Sequence, residues 1–310
     1  FEQCEKMLKR IINSLAQPYL IDEQSLTISA SIGVTLYPTD DADFDTLMRH
    51  ADQAMYDAKL AGKNRYSLFN TEQDQRTVQK NLQLQEIEQA LLNNEFCLHY
   101  QPKVNMITGK VFGAEALIRW QHPENGLIPP LKFLPIVENS ELEIKIGNWV
   151  INEALNQMAS WKQQGISLEV SVNISSFHLQ HASFISDLDE VLALHPLVNS
   201  NKLQLEILES SALGDLDSIS HIIKSCIHTL GVSIALDDFG TGYSSLTHLR
   251  YLPAQTIKID QTFVRDVLED PNDYAIIDGI IGLADSFNRQ VIAEGIETTD
   301  IGLMLILMDC

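Results

Sequence analysis

From residue 95 onward, short apolar runs rich in β-branched residues recur with room for a helix between most of them. The runs are FCLHYQPKV, VFGAEALIRW, LEVSVNIS, KLQLEILES, VSIALDD, TIKID and QVIAEG. Helix-period segments at 147–164, 182–194, 216–230 and 271–288 separate most of them. This alternation is the pattern of parallel βα units. Seven runs within residues 95–310 predict a β/α barrel lacking its last unit, with an open doubly wound sheet as the alternative. No GxGxxG follows any run, so a dinucleotide fingerprint is absent.

The first 94 residues have a different rhythm. Residues 1–17 read as a helix, with apolar positions at Met7, Leu8, Ile11, Ile12 and Leu15. The alternating LTISASIGV at 26–34 predicts one strand. A helix from Asp43 to Ala61 follows, closed by Gly62-Lys63, and RYSLF reads as a further strand. Residues 1–70 therefore form a thin α+β unit, hard to stabilise alone. Residues 71–94, rich in Gln and Glu without Gly or Pro, predict a helical linker into the unit at 95–310.

Charge narrows the function classes. Lysines and arginines number 21 against 42 acids, a net charge of −21, which argues against a basic face for a nucleic-acid polymer. An anionic small ligand stays compatible, because bound cations reverse a local field. No apolar run reaches the roughly 18 residues of a membrane span, so no membrane contact is expected from this segment. Cys4, Cys97, Cys226 and Cys310 form no CxxC, and the expected setting is the reducing cytoplasm. No histidine pair has HExxH spacing. The chain opens on FEQCEKMLKR and stops at LMLILMDC, both mid-pattern, which predicts a piece of a longer protein.

In a β/α barrel the carboxyl ends of the strands carry the chemistry. Those ends supply Glu115, Asn173, Glu206, Asp237 with Asp238, Lys258 with Asp260, and Glu294. A strand period of two puts Glu115, Leu117 and Arg119 on one face, and Lys258 with Asp260 on another. Taken singly, either aspartate of the pair fits a helix N-cap, Glu206 fits a surface ion pair, and Lys258 fits a solvated strand end. Six carboxylates, an amide and a lysine on six strands are hard to explain as caps. Converging acids repel unless they hold cations, and oxygen-only donors suit Mg²⁺ or Mn²⁺ rather than zinc. An adjacent Asp-Asp pair can serve two ions roughly 3.5–4 Å apart, the arrangement of phosphodiester cleavage. Lys258 then stands to orient or deprotonate the attacking water, and Arg119 offers a planar fork for a phosphate. An enolase-type barrel, with acids on Mg²⁺ and a lysine base, fits the same residues.

The strings AEALIRW, DDFGTGYSSL, IKIDQTFV and VIAEGIET, in that order, resemble the EAL family of cyclic di-GMP phosphodiesterases. The resemblance implies a (β/α)8 TIM-like barrel with an antiparallel first strand, and hydrolysis of cyclic di-GMP to linear pGpG with Mg²⁺ or Mn²⁺. Ca²⁺, with larger and looser coordination, is expected to inhibit. By the same resemblance Glu115, Asn173, Glu206, Asp237, Asp238 and Glu294 match metal-binding positions, and Lys258 the catalytic lysine. Gln101, Leu117, Arg119 and Asp260 match positions that contact the dinucleotide or support the site. Glu209 matches an acid that holds the DDFGTGYSS loop. The family continues into a strand bearing a QGY motif, beyond Cys310 here.

SIGVTLYP and ADQAMYDAKLAGKNRY resemble the C-terminal half of a GGDEF diguanylate cyclase domain. Lys59 and Lys63 match phosphate-touching positions there, but the GGDEF loop is absent from this chain, so cyclase activity is not expected of it. Two functions stay in view: an active phosphodiesterase, and a catalytically silent cyclic di-GMP receptor. A homodimer through barrel helices beside the 237–245 loop is compatible with either.

Overall fold

The computed structural model describes residues 2–22, 24–209, 216–241 and 245–310. The chain divides into two compact units, Phe1–Gln83 and Leu84–Cys310.

In the first unit, α1 (Glu2–Leu15) precedes a short hairpin of β1 (Tyr19–Ile21) and β2 (Gln24–Leu26). A parallel β-α-β crossover then joins β3 (Ile32–Val34), α2 (Phe44–Leu60) and β4 (Tyr66–Leu68). Asp43 caps α2, its side chain accepting from the Thr46 amide. The strand lies directly against the helix: a Cβ on Gly33 would sit 1.8 Å from the Ala51 carbonyl oxygen. Only glycine permits that approach, opposite the buried Ala54 and Ala58. The single strand expected over 26–34 is thus two elements. The chain reverses at Asp22, where φ is +49°, and 27–31 have no regular structure.

Helix α3 (Thr71–Leu92) carries Ile87 and Ala90 into the core of the second unit. There the strands are β5 (Phe96–Asn105), β6 (Lys110–His122), the short β7 (Gly126–Ile128), β8 (Glu169–Ile174), β9 (Leu203–Leu208), β10 (Ser233–Phe239), β11 (Thr256–Ile259) and β12 (Gln290–Ala293). Seven of them pair in the order β12-β11-β10-β9-β8-β6-β5, and β7 pairs the end of β6. Neighbours from β6 to β12 run parallel, while β5 is antiparallel to β6. The antiparallel first strand is thereby present. The helices that follow or flank the strands are α4 (Leu134–Val137), α5 (Glu141–Gln163), α6 (Ser176–Leu179), α7 (Phe184–Leu194), α8 (Leu216–His228), α9 (Ser245–Tyr251), α10 (Gln261–Asp266), α11 (Pro271–Ser286) and α12 (Thr299–Leu307).

Alternation sorts the strand residues by face. Val170, Val172, Leu203, Leu205, Ile207, Ile234, Leu236, Ile257 and Ile259 are buried and join the apolar cluster that includes Leu155, Leu188, Ile223 and Ile277 of the helices. The alternate positions, Glu115, Ser171, Gln204, Glu206, Asp237 and Lys258, are polar and face the other way. That inner face is concave. Lys258 on β11 reaches Glu115 on β6 at 3.3 Å, although three strands stand between them in the sheet order. In a flat sheet four strand spacings would hold them roughly 19 Å apart. The sheet is therefore curled as in a TIM-like barrel, open between β12 and β5.

Candidate active site

Lys258 stands at the centre of the concave face. Its Nζ lies 2.6 Å from Glu206 Oε2, 2.6 Å from Glu294 Oε1, 3.1 Å from Asp237 Oδ1 and 3.3 Å from Glu115 Oε2. Carboxylates from four other strands or their ends thus converge on one ammonium. Burial opposes its charge, but Glu206, Asp237, Glu115 and Glu294 outweigh that and hold its pKa well above the ordinary lysine range. Glu115 also accepts from Asn173 Nδ2 at 2.8 Å, which draws β8 into the cluster.

The Asp237–Asp238 pair depends on a local break of the strand. Regular β-structure sends adjacent side chains to opposite faces. Here the β10–β11 register shifts between Leu236 and Phe239, and Asp238 adopts φ +51°. Aspartate tolerates that left-handed region better than most residues. The break turns Asp238 back toward the mouth, where Asp237, Asp238 and Glu294 offer oxygens within 4.8 Å of one another. Asp260 lies close enough to Asp238 to disfavour its ionisation further. Asp260 itself caps α10, accepting from the Thr262 amide at 2.8 Å.

Burial and crowding decide which acids resist ionisation. Burial pushes Asp238 up to about 6, helped by the neighbouring Asp237. Glu294 is pushed up to about 7, chiefly by burial, with Lys258 pulling the other way. Glu115 and Asp237 are raised for the same first reason. Glu206 is the exception. Burial would raise it, yet Lys258 and Lys103 together hold it below the usual carboxylate range.

Lys103, on β5, is a residue that the sequence reading passed over. It is buried, and its Nζ donates to Glu206 Oε1 and to Gln204 Oε1, each at 2.9 Å. Gln204 in turn donates to Thr256 Oγ1 at 3.1 Å. The signal lay in YQPKV, because a period of two puts Lys103 on the same face as Gln101.

The remaining candidates lie around this cluster. Gln101 pairs in register with Glu115, and Leu117 with His99. Arg119 shares the face of Glu115, but its Nη1 donates to the Ile118 carbonyl at 2.8 Å and takes no part in the carboxylate cluster. Glu209 is buried, and its Oε2 accepts from the Gly240 amide at 3.1 Å, one turn beyond the Asp pair. Gly242, Tyr243 and Ser244 of the DDFGTGYSS segment lie outside the described residues.

Six carboxylates against two ammonium groups leave four negative charges when all are ionised. Two divalent cations carry the opposite charge. The donor set is all oxygen, with carboxylates and one amide, which fits hard divalent cations such as Mg²⁺ or Mn²⁺.

The comparisons agree with this geometry. The profile of the EAL domain matches residues 84–310, and that of the diguanylate cyclase GGDEF domain matches residues 1–65. The bifunctional diguanylate cyclase/cyclic di-GMP phosphodiesterase MucR of Pseudomonas aeruginosa is 42% identical over 95% of this chain and 42% of its own length. The cyclic di-GMP phosphodiesterase PdeR of Escherichia coli is 38% identical over 95% of this chain and 44% of its own. The chain thus spans less than half the length of these two relatives. A solved PaMucR phosphodiesterase in complex with c-di-GMP is 39% identical, covering 74% of this chain and 92% of that one, with a TM-score of 0.70. The FimX EAL domain from Pseudomonas aeruginosa bound to c-di-GMP is 26% identical, covering 73% and 90%, with a TM-score of 0.66. With its acids converging on Lys258 across a curled sheet, the chain belongs to the EAL domain family.

Proposed function

We propose that this chain is a metal-dependent phosphodiesterase that hydrolyses cyclic di-GMP to linear pGpG in bacterial second-messenger signalling. The observation that carries the reading is the convergence of Glu115, Glu206, Asp237 and Glu294 on Lys258, with Asn173 and Asp238 at the edge. Glu115, Asn173, Glu206, Asp237, Asp238 and Glu294 would hold two Mg²⁺ or Mn²⁺ ions. Such ions neutralise the phosphate and activate water at neutral pH. The chain's own residues do the rest. Lys258 orients the attacking water at Nζ; cations that replace it as the counter-charge of its four carboxylates would let its ammonium release a proton to solvent, and the neutral amine so formed would take the water's proton. Gln101, Leu117, Arg119 and Asp260 position the dinucleotide. The bond broken is one phosphodiester P–O bond, and its oxygen leaves as the hydroxyl of pGpG.

Glu209 holds the loop after Asp238 through Gly240, and a homodimer through the helices beside that loop would act on the metal site from outside. Among the described residues no helix is long and apolar enough to cross a membrane. A cytoplasmic setting fits the substrate.

The decisive assay incubates the intact protein with cyclic di-GMP and Mg²⁺ or Mn²⁺, and resolves nucleotides by chromatography. pGpG should accumulate, and Ca²⁺ should suppress it. Tight binding without product would instead assign the site to a silent receptor.

A further inference from the structure

Glu206 is held from two sides. Above it, toward the mouth, Oε2 faces Lys258 at 2.6 Å. Below it, Oε1 faces Lys103 at 2.9 Å. The two lysines differ in what else they have. Lys258 is shared among four carboxylates and can exchange any of them for a cation's field. Among the described residues Lys103 has one carboxylate within ion-pair distance, Glu206, with the neutral Gln204 as its other acceptor. It is buried on the inner face of β5, so leaving Glu206 would cost this ammonium its directly paired anion and leave it only the more distant field of Glu169.

We propose that Lys103 is a specificity-determining positioning residue: it locks one oxygen of Glu206 and thereby restricts that carboxylate to a single metal-facing oxygen. The inference rests on the metal-dependent reading above. Its consequence is a choice between ions. Mg²⁺ requires near-ideal octahedral geometry with one oxygen per carboxylate. Ca²⁺ takes six to eight oxygens at looser geometry and readily accepts both oxygens of one carboxylate. With Oε1 committed to Lys103, Glu206 cannot offer that second oxygen, and the site favours the smaller ion. The same lock fixes the direction from which Oε2 enters the mouth, because both ends of the carboxylate are then defined. Lys258, which must stay free to act on the reacting water, is spared the task of orienting Glu206.

The test measures ion binding without substrate. Mg²⁺, Mn²⁺ and Ca²⁺ are titrated into the intact protein and into Lys103→Met and Lys103→Gln by calorimetry, with circular dichroism to check the fold. Lys103→Met frees Oε1, and the ratio of the Ca²⁺ to the Mg²⁺ dissociation constant should fall by about tenfold or more, in favour of Ca²⁺. Lys103→Gln keeps an N–H donor for Oε1 without the charge and should restore most of the wild-type ratio. A merely structural lysine would weaken all three ions alike. An unchanged ratio in folded Lys103→Met overturns the inference and leaves the phosphodiesterase reading intact. A wild-type protein that binds none of the ions overturns both. The unmodified protein gives a second readout that needs no variant. On adding Mg²⁺ the ammonium resonance of Lys258 should move and that of Lys103 should stay. Equal movement of both overturns the lock.

Discussion

His178 offers a stability prediction whose sign and size both follow from its surroundings. It sits in α6, just after Asn173, and is almost fully buried. Its Nε2 lies 2.9 Å from Asn148 Oδ1 on α5, and its ring meets Phe184 edge-on at 5.0 Å between centroids. Its Nδ1 is buried without a partner. The titratable neighbours are Asp187, which favours the imidazolium, and His181, which opposes it. Burial wins, and the pKa falls from 6.5 to about 4. A depressed histidine pKa means that the unfolded chain binds the proton more readily. His178 therefore costs nothing above pH 6.5, and the folded state loses stability as the pH falls from there toward 4. At pH 5 the linkage amounts to about 2 kcal/mol relative to pH 8. His178→Gln keeps a donor for Asn148 and removes the titration. Urea unfolding can be followed by the fluorescence of Trp120, Trp149 and Trp161, all within Leu84–Cys310. Between pH 8 and pH 5 the wild type should lose about 2 kcal/mol more than His178→Gln. Carboxylates that titrate in both proteins cancel in the difference. Equal losses would refute the burial of a neutral His178.

Three further outcomes are expected. Gly147→Ala places a Cβ 2.3 Å from His178 Nδ1 and should cost about 1–3 kcal/mol by overpacking; in a His178→Ala background most of that cost should vanish in a double-mutant cycle. Glu115→Ala and Lys258→Ala should both abolish turnover, the first with weakened metal binding and the second with metal and cyclic di-GMP binding retained, as calorimetry would read; equal loss of metal in both contradicts the roles. Glu209→Ala unpairs the Gly240 amide and should accelerate hydrogen exchange at 239–241 and lower turnover by up to about 10²-fold, at unchanged metal affinity.

The strands of the larger unit were legible because the face covered by helices takes a β-branched or leucine residue at every second position, as in Val170, Val172, Leu203, Leu205, Ile207, Ile234, Leu236, Ile257 and Ile259. All seven expected runs became strands, and the helices between them fell within a few residues of their expected positions, apart from α5, which starts six residues earlier, at Glu141. The smaller unit was less legible. LTISASIGV alternates well enough for one strand, but the hairpin is set by a left-handed turn at Asp22, a residue with no glycine to announce it. Strand β7 is three residues long, too short for any period to register, and forms only because the end of β6 offers it an edge.

At the site, sequence identified the acids but not the geometry that makes them a cluster. Alternation along β10 would have sent Asp237 and Asp238 to opposite faces, one into the mouth and one into the helix layer. An unpaired carboxylate in that apolar layer would cost several kcal/mol. The register shift and the positive φ of Asp238 remove this penalty by spending local backbone regularity. No spacing rule predicts such a bulge. It is braced from outside the strand, by Glu209 accepting from the Gly240 amide. Lys103 was hidden for the opposite reason. Its position obeys the period of two, but a lysine near a strand end reads as solvated until the curl of the sheet brings β9 across to it. Curvature is a property of the whole sheet, so residues that pair across the barrel become visible only once the strands are closed.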